Sequence, residues 1–186
     1  MARPPVYDDA LRERLLEVTA QIVARDGASR AALRDIASAA GTSTSAVYAL
    51  FGGKGELLAA VIEHGFASFA AAQQEAAPDG LRALGVAYRE WALGHPALYR
   101  LMFGGALESV ADCEPDPASA SASLAPLQAA IAGRGAAEVA VSVVAVWAQV
   151  HGAVSLELTG MAGHGTSWDE VYDAVLDAVE RSLPVG

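Results

Sequence analysis

The sequence predicts an all-α protein of about nine helices. Of its 186 residues, 53% are hydrophobic but only 6% are aromatic. A core of this composition would consist mainly of alanine, leucine and valine, which favours packed helices over sheets. Apolar residues recur at helical spacing along most of the chain, and the alternation typical of strands is almost absent. The length is enough to bury a core without disulfides.

The N-terminal part predicts two helices separated by glycine and then a third, short one. The first helix runs to Asp26-Gly27 and has one apolar face, at steps of four, three and four. This face contains Leu11, Leu15, Val18 and Ile22. The second helix runs from about Leu33 to Ala40. Gly41 ends it, because glycine reaches the positive φ that a tight helix-ending turn requires.

The third helix is about two turns long. Thr42, Ser43 and Thr44 precede it with hydroxyls that can cap its free amides, and Gly52-Gly53 interrupts it. Lys54 then opens a longer helix, 54–76, that joins two predicted domains. These span residues 1–53 and 54–186.

Further helices are predicted beyond Pro78-Asp79-Gly80. An apolar stripe runs from Leu81 to His95, and a short helix follows at Leu98 to Met102. Glycine, serine, proline and acidic residues between Gly104 and about Ser123 predict a long loop. Two more helices are predicted after it, at about Ala136 to Gly160 and at Ser167 to Leu183.

The stretch from Gly41 to Val61, GTSTSAVYALFGGKGELLAAV, allows three interpretations. A phosphate-binding loop is disfavoured, because Tyr48 rather than glycine stands five residues before Gly53 and no Ser or Thr follows Lys54. A simple helical corner stays open, since such corners are common. The third interpretation is a helix-turn-helix unit, whose second helix can enter a DNA major groove about 12 Å wide.

The side chains of this stretch favour the helix-turn-helix interpretation. The inward face would be apolar and contain Ile36, Ala37, Ala40, Val47 and Phe51. The other side would then carry small or hydroxylated residues suited to phosphates and base edges, namely Thr42, Ser43, Thr44, Ser45 and Tyr48. Lys54 would place a positive charge and free backbone amides where a phosphate could sit.

The net charge of −10 is distributed unevenly. Residues 1–64 contain seven basic and eight acidic groups, and the rest contains five basic and fourteen acidic groups. The acidity therefore belongs to the second part, and the first part could still present its arginines on one surface. A strongly basic tract is excluded, so nucleic-acid binding would depend on shaped contacts as well as on bulk attraction.

The run LRDIASAAGTSTSAVYALFGGKGELLAAVI, with the helix before it, resembles the N-terminal DNA-binding domain of the TetR/AcrR family of bacterial transcriptional regulators. The likeness lies in the Arg-Asp-Ile-Ala start, the Ala-Gly turn, the Tyr shortly before Phe, and the Lys followed by Glu-Leu. The resemblance implies a helix-turn-helix DNA-binding domain at 1–53 and a helical ligand-binding and dimerisation domain at 54–186. It also implies a homodimer that binds a palindromic operator, usually as a repressor released by a small ligand. It also implies Arg34, Thr44, Ser45 and Tyr48 as DNA contacts and Lys54 as a phosphate clamp.

The sequence departs from the family pattern at positions that affect stability and base reading. Ala31 and Ala32 stand where a Thr or Ser cap is usual, so Ser29 must supply the cap or it is lost at a cost of about 1 kcal/mol. Ala49 and Leu50 leave few side chains able to read bases. We therefore expect modest base specificity, with phosphate contacts and dimer spacing carrying more of the selection.

The segments AYREWALGHPALYRLMFG and VWAQVHGAVSLELTG resemble a Trp-His-Gly type of ligand domain in the same family, here Trp147, His151 and Gly152. One interpretation makes the aromatic and histidine residues ordinary core, with each histidine hydrogen-bonded and neutral. The other makes them the lining of a largely apolar small-molecule pocket with a few polar groups. The candidate pocket residues are Tyr88, Trp91, His95, Tyr99, Met102, Phe103, Trp147 and His151.

The last two predicted helices are the candidate dimer surface. Apolar residues crowd the first of them at Val143, Val144, Val146 and Trp147. A four-helix contact between two copies would bury the apolar faces and set the two recognition helices about one DNA turn, roughly 34 Å, apart. The alternative is that both helices complete a monomer core.

The sequence offers no arrangement of catalytic or metal-binding residues. Its four histidines, among them His64 and His164, are scattered and lack the paired spacing of a helical zinc site. Cys113 stands among acidic residues, which disfavour the reactive thiolate. We therefore expect no enzyme activity, no metal and no cofactor.

The sequence as a whole predicts a homodimeric, ligand-responsive regulator that binds a double-stranded DNA operator, with repression as the expected mode. A single cysteine and the absence of an evident signal peptide or membrane span predict a soluble cytoplasmic protein. The alternative is an all-helical small-molecule binding or sequestering protein that has lost operator binding. The overall acidity, Ala49 and Leu50 make this alternative credible.

Overall fold

All regular structure in the described part of the chain is helical, which confirms the all-α prediction. The computed structural model describes residues 9–104, 116–160, 165 and 167–184. In these ranges the α-helices are α1 (Asp9–Asp26), α2 (Leu33–Ala39), α3 (Thr44–Phe51), α4 (Lys54–Ala76), α5 (Leu81–Gly94), α6 (Pro96–Phe103), α7 (Pro117–Ser123), α8 (Ala125–Gly133), α9 (Val139–Leu158) and α10 (Trp168–Ser182). A 3₁₀ turn, Ala77–Asp79, lies between α4 and α5.

The helices pack into two compact units. The first comprises Met1–Phe66 and Ala97–Ser119, and the second comprises Ala67–Pro96 and Ala120–Gly186. Helix α4 contributes its first part to one unit and its last part to the other. The predicted division into domains 1–53 and 54–186 stays a prediction.

Aliphatic side chains of α1 to α4 build the core of the first unit. On α1, Leu15 and Ile22 of the predicted apolar face are buried, whereas Leu11 and Val18 are half-buried. Thr19 is buried beside them, and its hydroxyl donates to the carbonyl of Leu15 at 2.6 Å. The hydroxyl therefore finds its partner within its own helix and does not disturb the apolar core.

Glycine and serine set the ends of the short helices α2 and α3. Gly41 has a φ of 69° and Gly52 a φ of 96°, which other residues rarely adopt. The hydroxyl cap predicted for α3 is confirmed, since Ser43 Oγ accepts a hydrogen bond from the amide of Ala46 at 3.3 Å. The N-cap of α2 is Ala32, which makes no side-chain capping hydrogen bond, so α2 begins without a hydroxyl at that position.

Helix α5 contacts α8, α9 and α10 and so lies at the centre of the second unit's packing. The buried residues of α5, α9 and α10 include Leu84, Tyr88, Trp91, Val143, Val146, Val150, Val154, Tyr172, Leu176 and Val179. Helix α10 approaches α5 closely at Gly85, where a Cβ would force a methyl group of Leu176 to shift. The hydroxyl of Tyr172 donates to the carbonyl of Gly85 at 2.6 Å and fixes the same contact.

Helix α9 is apolar on its buried side and also on much of its exposed side. Its buried face packs against α5, α8 and α10. On the other face, the side chains of Val141 and Val144 are 62% and 57% exposed. By length and composition alone, α9 could also cross a membrane. Packing within the second unit thus buries only one of the two apolar sides of α9, and the other stays exposed.

The predicted loop between Gly104 and Ser123 is wrong in its last part. Residues 117–123 form α7, and α8 follows at 125–133, where the sequence pattern predicts no helix. The alternation of alanine and serine in α7 gives only a moderate helix propensity, and the proline and serine content led to the loop prediction. Ser123 is buried and its hydroxyl donates to the carbonyl of Ala120 at 2.7 Å. Residues 105–115, with Cys113, lie outside the described residues.

An ionic cluster joins α5, the end of α9 and the start of α10. The guanidinium of Arg89 makes two hydrogen bonds to the carboxylate of Glu157, at 2.8 and 2.7 Å, and lies 2.7 Å from a carboxylate oxygen of Asp169. The side chains of Arg89 and Glu157 are only 17% and 12% exposed. The hydrogen bonds to Glu157 raise the pKa of Arg89 above its ordinary value. Arg89 and its carboxylate partners therefore stabilise the packing of α5, α9 and α10 against one another.

Replacing Arg89 by alanine should lower the free energy of unfolding by about 2 kcal/mol, because the shielded carboxylate of Glu157 loses its partner. Urea unfolding followed by circular dichroism measures this loss. Arg82→Ala is the control. Arg82 also binds two α10 carboxylates, those of Asp173 and Asp177, but its side chain is 39% exposed, so the loss should be clearly smaller. Equal losses in the two variants would contradict the assigned role of Arg89.

Candidate functional site

A short turn fixes the position of α3 relative to α2. The amide of Thr42 donates to the carbonyl of Ala37 at 2.8 Å, and the amide of Gly41 donates to the carbonyl of Ser38 at 3.1 Å. Ser43 then caps α3. The two helices and their turn, packed on α1, form the helix-turn-helix unit that the sequence predicts.

Helix α3 buries one side and presents the other to solvent. Ala46 and Val47 are fully buried, as are Ile36, Ala37 and Ala40 of the predicted inward face. Of the residues predicted to face outward, Ser43, Ser45 and Tyr48 are exposed, and Thr42 and Thr44 are half-buried. Tyr48 is 57% exposed. The outer surface of α3 therefore consists of hydroxyl groups, one aromatic ring and the methyl group of Ala49, which is also exposed.

Two cations of the predicted DNA-binding set lie on the neighbouring helices. Arg34 on α2 has a side chain that is 88% exposed, with its Nε 3.6 Å from Asp35. Lys54, the first residue of α4, is half-buried, and its ammonium donates to the carbonyl of Ser29 at 3.2 Å. An ammonium has three donors. This bond therefore holds Lys54 in place and leaves donors for a phosphate.

The sequence pattern does not identify one further cation of this unit. The guanidinium carbon of Arg12 on α1 lies 5.4 Å from the centre of the Phe51 ring, at the end of α3. Phe51 was predicted to face inward, and it is half-buried. The guanidinium lies over the face of this ring, which is the geometry of a stabilising cation–π contact. No local spacing could indicate this pair, because it joins helices that are far apart in the sequence.

The second unit contains an apolar cavity between α4, α5, α7 to α10 and the α7–α8 junction. It is narrow, with a volume of only about 30 Å³. Its lining consists of Phe69, Gln73, Leu81, Leu84, Gly85, Tyr88, Ser123, Leu124, Leu127, Val146, Trp147, Val150, Leu176 and Val179. None of these lining residues is charged. Tyr88 and Trp147 are the two members of the predicted pocket set that line it.

His151 lies beside this cavity through its contacts with both of those residues. Its Nδ1 is 2.9 Å from the hydroxyl of Tyr88, and its ring centre is 5.5 Å from that of Trp147. Burial disfavours the charged imidazolium and lowers the pKa of His151. The neutral imidazole of His151 and the hydroxyl of Tyr88 therefore form a hydrogen-bonded polar pair beside the apolar cavity lining.

Trp91 and His95 form a second pair at the end of α5. The indole Nε1 of Trp91 donates to the hydroxyl of Ser68 at 3.0 Å, and its ring stacks on that of His95 with centres 5.0 Å apart. Trp91 is buried and His95 is exposed. Trp91 also meets Phe69, a lining residue, at 5.2 Å between ring centres. Trp91 and His95 therefore do not line the cavity, although Trp91 packs against a residue that does. Their role as ligand contacts stays a prediction.

The other three predicted pocket residues belong to the first unit. Phe103 packs edge-on against Phe66 at 5.9 Å and against Tyr99 at 5.0 Å, measured between ring centres. Met102 lies close to Gly65, where a Cβ would clash with its sulfur. These contacts make the three residues part of that unit's apolar packing. Whether they also contact a ligand stays a prediction.

Twelve of the fourteen lining residues were not predicted, and they come from α4, α5 and all helices from α7 to α10. Ser123, Leu124 and Leu127 lie at the junction of two helices that the sequence pattern does not predict. Gln73 is buried, and its amide nitrogen donates to the carbonyl of Leu84 at 3.2 Å. A buried glutamine on a long apolar helix was a usable signal, because such a residue needs a specific partner.

Within the described residues, no group of three or more His, Cys, Asp or Glu side chains could hold a metal ion. His64 on α4 and His95 after α5 have no such companions. His164 and Cys113 lie outside the described residues.

The fold and these two sites define a class of protein: a helix-turn-helix DNA-binding protein with a helical unit that encloses an apolar cavity. Sequence comparison then identifies the family. Residues 15–61 match the bacterial regulatory proteins of the tetR family. Residues 81–179 match the tetracyclin repressor-like C-terminal domain. The chain therefore belongs to the TetR family, and it is a DNA-binding transcriptional regulator rather than an enzyme.

Solved structures have the same fold along almost the whole chain. A protein of unknown function from Rhodococcus sp. RHA1 is 26% identical, with a TM-score of 0.78 over 97% of this chain and 99% of that chain. A TetR family transcription regulator from Marinobacter aquaeolei VT8 is 22% identical, with a TM-score of 0.77 over 96% and 98% of the two chains. The TetR family regulator PfmR from Thermus thermophilus is 21% identical, with a TM-score of 0.69 over 90% and 97%.

No curated protein matches the sequence. The family prediction is confirmed by the two matched domains. The narrower resemblance of the second domain to the Trp-His-Gly type stays a prediction.

Acidification should destabilise the protein through His151. Burial lowers the pKa of His151 below its ordinary value of 6.5, so the folded state favours the neutral ring. Its contribution to stability is complete above about pH 6.5 and is lost as the pH falls through the lowered pKa of the folded state. The His151→Gln variant should lose stability less steeply over this range. Thermal unfolding at several pH values measures the difference, and parallel curves for both proteins would contradict the prediction.

Proposed function

We propose that this regulator binds a palindromic operator in the cytoplasm as a homodimer and represses transcription until a small apolar ligand releases it. The observation that carries the proposal is the outer face of α3. Tyr48 and the hydroxyls of Ser43 and Ser45 reach solvent from the second helix of the helix-turn-helix unit, the helix that enters the major groove in such proteins. Thr42 and Thr44 add hydroxyls at the start of the same helix.

Phosphate contacts would supply most of the binding free energy. The exposed guanidinium of Arg34 on α2 and the ammonium of Lys54 at the start of α4 are the two candidate cations. Lys54 also opens a long helix, whose first amides and positive dipole end favour an anion. Contacts of this kind position the protein on DNA and make its affinity depend on salt.

The homodimer would form through α9 and α10. Val141, Val144 and Leu156 expose apolar side chains on α9. Such a surface costs about 25 cal/mol per Å² in water, and a second copy would cover it in a closed, symmetric contact. Val143 and Val146, which the sequence pattern also assigned to the dimer surface, are buried within the protomer. They would support α9 from inside and leave the exposed valines to meet the partner.

The ligand would bind in the apolar cavity of the second unit, whose walls would have to move apart to admit it, because the cavity volume is only about 30 Å³. A charged molecule would lose its hydration there without a partner, because none of the lining residues is charged. Gln73, Ser123 and the Tyr88–His151 pair supply the few polar groups that could orient a neutral ligand. An uncharged, mainly apolar molecule with one or two hydrogen-bonding groups fits this lining best.

Release from the operator requires the ligand to bind one conformation of the dimer more tightly than another. The ligand would favour a dimer whose recognition helices do not match the spacing of the operator half-sites, and so it would lower the affinity for the operator. Operator binding would lower the affinity for the ligand by the same factor. The proposal therefore predicts reciprocal effects in binding measurements.

A ligand-sequestering protein without an operator is the second candidate function. The net charge of −10 and the apolar residues Ala49 and Leu50 on α3 favour it. It differs from the first candidate in predicting ligand binding with no selected DNA sequence.

Selection of bound sequences from a random DNA pool should enrich a palindrome with half-sites about one helical turn apart. Replacing Tyr48 by alanine should weaken binding to this sequence by about tenfold or more. Arg34→Ala and Lys54→Ala should each reduce the slope of log affinity against log salt by about one, because each removes one phosphate contact. Fluorescence anisotropy at several salt concentrations measures both effects.

The matched control for these variants is Arg134→Ala, which removes an arginine at the end of α8 in the second unit. It should leave affinity and salt slope unchanged. Sedimentation of every variant should show the same oligomeric state as the original protein. Failure to enrich any sequence, with folding and dimerisation intact, would reject the repressor proposal in favour of the sequestering protein.

A neutral apolar dye, N-phenyl-1-naphthylamine, should bind the second unit and gain fluorescence. Val146→Phe adds volume to the lining and should abolish this binding. Val86→Phe, a change to an exposed residue of α5, is the control and should leave binding intact. Dye binding that survives Val146→Phe unchanged would place the ligand site elsewhere.

A further inference from the structure

The recognition helix of this protein lacks the side chains that usually read bases. Helix α3 has the sequence TSAVYALF and contains no Arg, Lys, Asn, Gln, Asp or Glu. Arginine and lysine read guanine, asparagine and glutamine read adenine, and carboxylates accept from cytosine. Bidentate recognition of any base by α3 is therefore excluded. The cations of this unit described above, Arg12, Arg34 and Lys54, belong to α1, α2 and α4.

The exposed residues of α3 leave one base feature that a side chain could read with selectivity. Ala46 and Val47 are buried, so the groove would meet Ser45, Tyr48 and Ala49, which are exposed. A serine or tyrosine hydroxyl can bond to several different bases. The methyl group of Ala49 can make a favourable contact only with an apolar group, and the thymine C5-methyl is the apolar group of the major groove.

The spacing of the helix brings these groups together. Ser45 and Ala49 are four residues apart and lie one above the other on the same face, with Tyr48 next to them. A base edge that approached this face would meet a small hydroxyl, a methyl group and an aromatic ring. Because Ser45 and Ala49 are short, the helix backbone can approach the bases closely. A thymine, with its methyl beside its O4 acceptor, matches a neighbouring methyl and hydroxyl.

We propose that this regulator selects its operator mainly through thymine methyl groups, with Ala49 in contact with the C5-methyl of one thymine in each half-site. The proposal rests on the operator binding proposed above and names the base feature that this binding would read. Removing one methyl contact should weaken binding about fourfold, and removing it from both half-sites about fifteenfold.

The test uses the full chain and the sequence that it enriches from a random DNA pool. Each thymine of that sequence is replaced in turn by deoxyuridine, which keeps the pairing and the O4 acceptor but lacks the methyl. Symmetric replacement at one position of both half-sites should weaken binding about fifteenfold, and replacements outside the recognition positions should have no effect. In the reverse experiment, a cytosine placed at the sensitive position should bind better when it carries a 5-methyl group.

A variant assigns the effect to Ala49. Ala49→Ser replaces the methyl surface by a hydroxyl on an exposed helical residue, and it should make the protein nearly indifferent to deoxyuridine at the sensitive position. Ala67→Ser, an exposed alanine on α4, is the matched control and should keep the full effect of about fifteenfold. Circular dichroism of both variants checks that the helices are retained.

The possible failures are distinguishable. Tight binding to an enriched sequence, with no sensitivity to deoxyuridine at any position, would overturn the methyl proposal and leave the operator-binding function standing. Sensitivity that persists unchanged in Ala49→Ser would overturn the assignment to Ala49. Absence of any enriched sequence would overturn both the operator-binding function and the inference that depends on it.

Discussion

The burial of Ala46 and Val47 against the rest of the helix-turn-helix unit determines what α3 can offer to DNA. An eight-residue helix has about two turns, so committing one side to the core leaves only a few outward positions. The Gly41 turn and the Ser43 cap hold the helix in that orientation from its first residue. Packing thus decides which side chains of α3 face outward, namely hydroxyls, one tyrosine and one alanine. These are the groups that α3 can bring to DNA.

In the second unit, polar groups are satisfied by one another, and the cavity is left apolar. The Tyr88 hydroxyl meets His151, the Trp91 indole meets Ser68, and the Tyr172 hydroxyl meets a backbone carbonyl. In the described residues, no buried side-chain nitrogen or oxygen lacks a hydrogen-bond partner. The charges of Arg89 and Glu157 are paired at the meeting of three helices rather than in the cavity wall. The cavity wall therefore presents an apolar surface with few polar groups.

Features of the fold that depend on neighbouring residues were predicted from the sequence, and features that join distant segments were not. The faces of α1 and α2, the Gly41 turn and the cap of α3 depend on residues a few positions apart, and periodicity predicted them. Helix α8 packs against α5 and α9, and the sequence pattern did not separate α7 and α8 from the loop before them. The cavity lining and the contact of Arg12 with Phe51 join distant segments, and no local pattern could predict them.

By itself, the sequence determined the all-helical class, the position of the helix-turn-helix unit and the membership of the TetR family. These depend on helical periodicity, on glycine and serine at helix ends, and on a contiguous motif, all of which are properties of neighbouring residues. Only the tertiary structure decided which side of α9 stays exposed, which residues line the cavity, and that Lys54 bonds to the carbonyl of Ser29. The reason is that burial and hydrogen bonding between helices depend on which distant segments of the chain come into contact. The spacing of residues along the sequence does not specify these contacts.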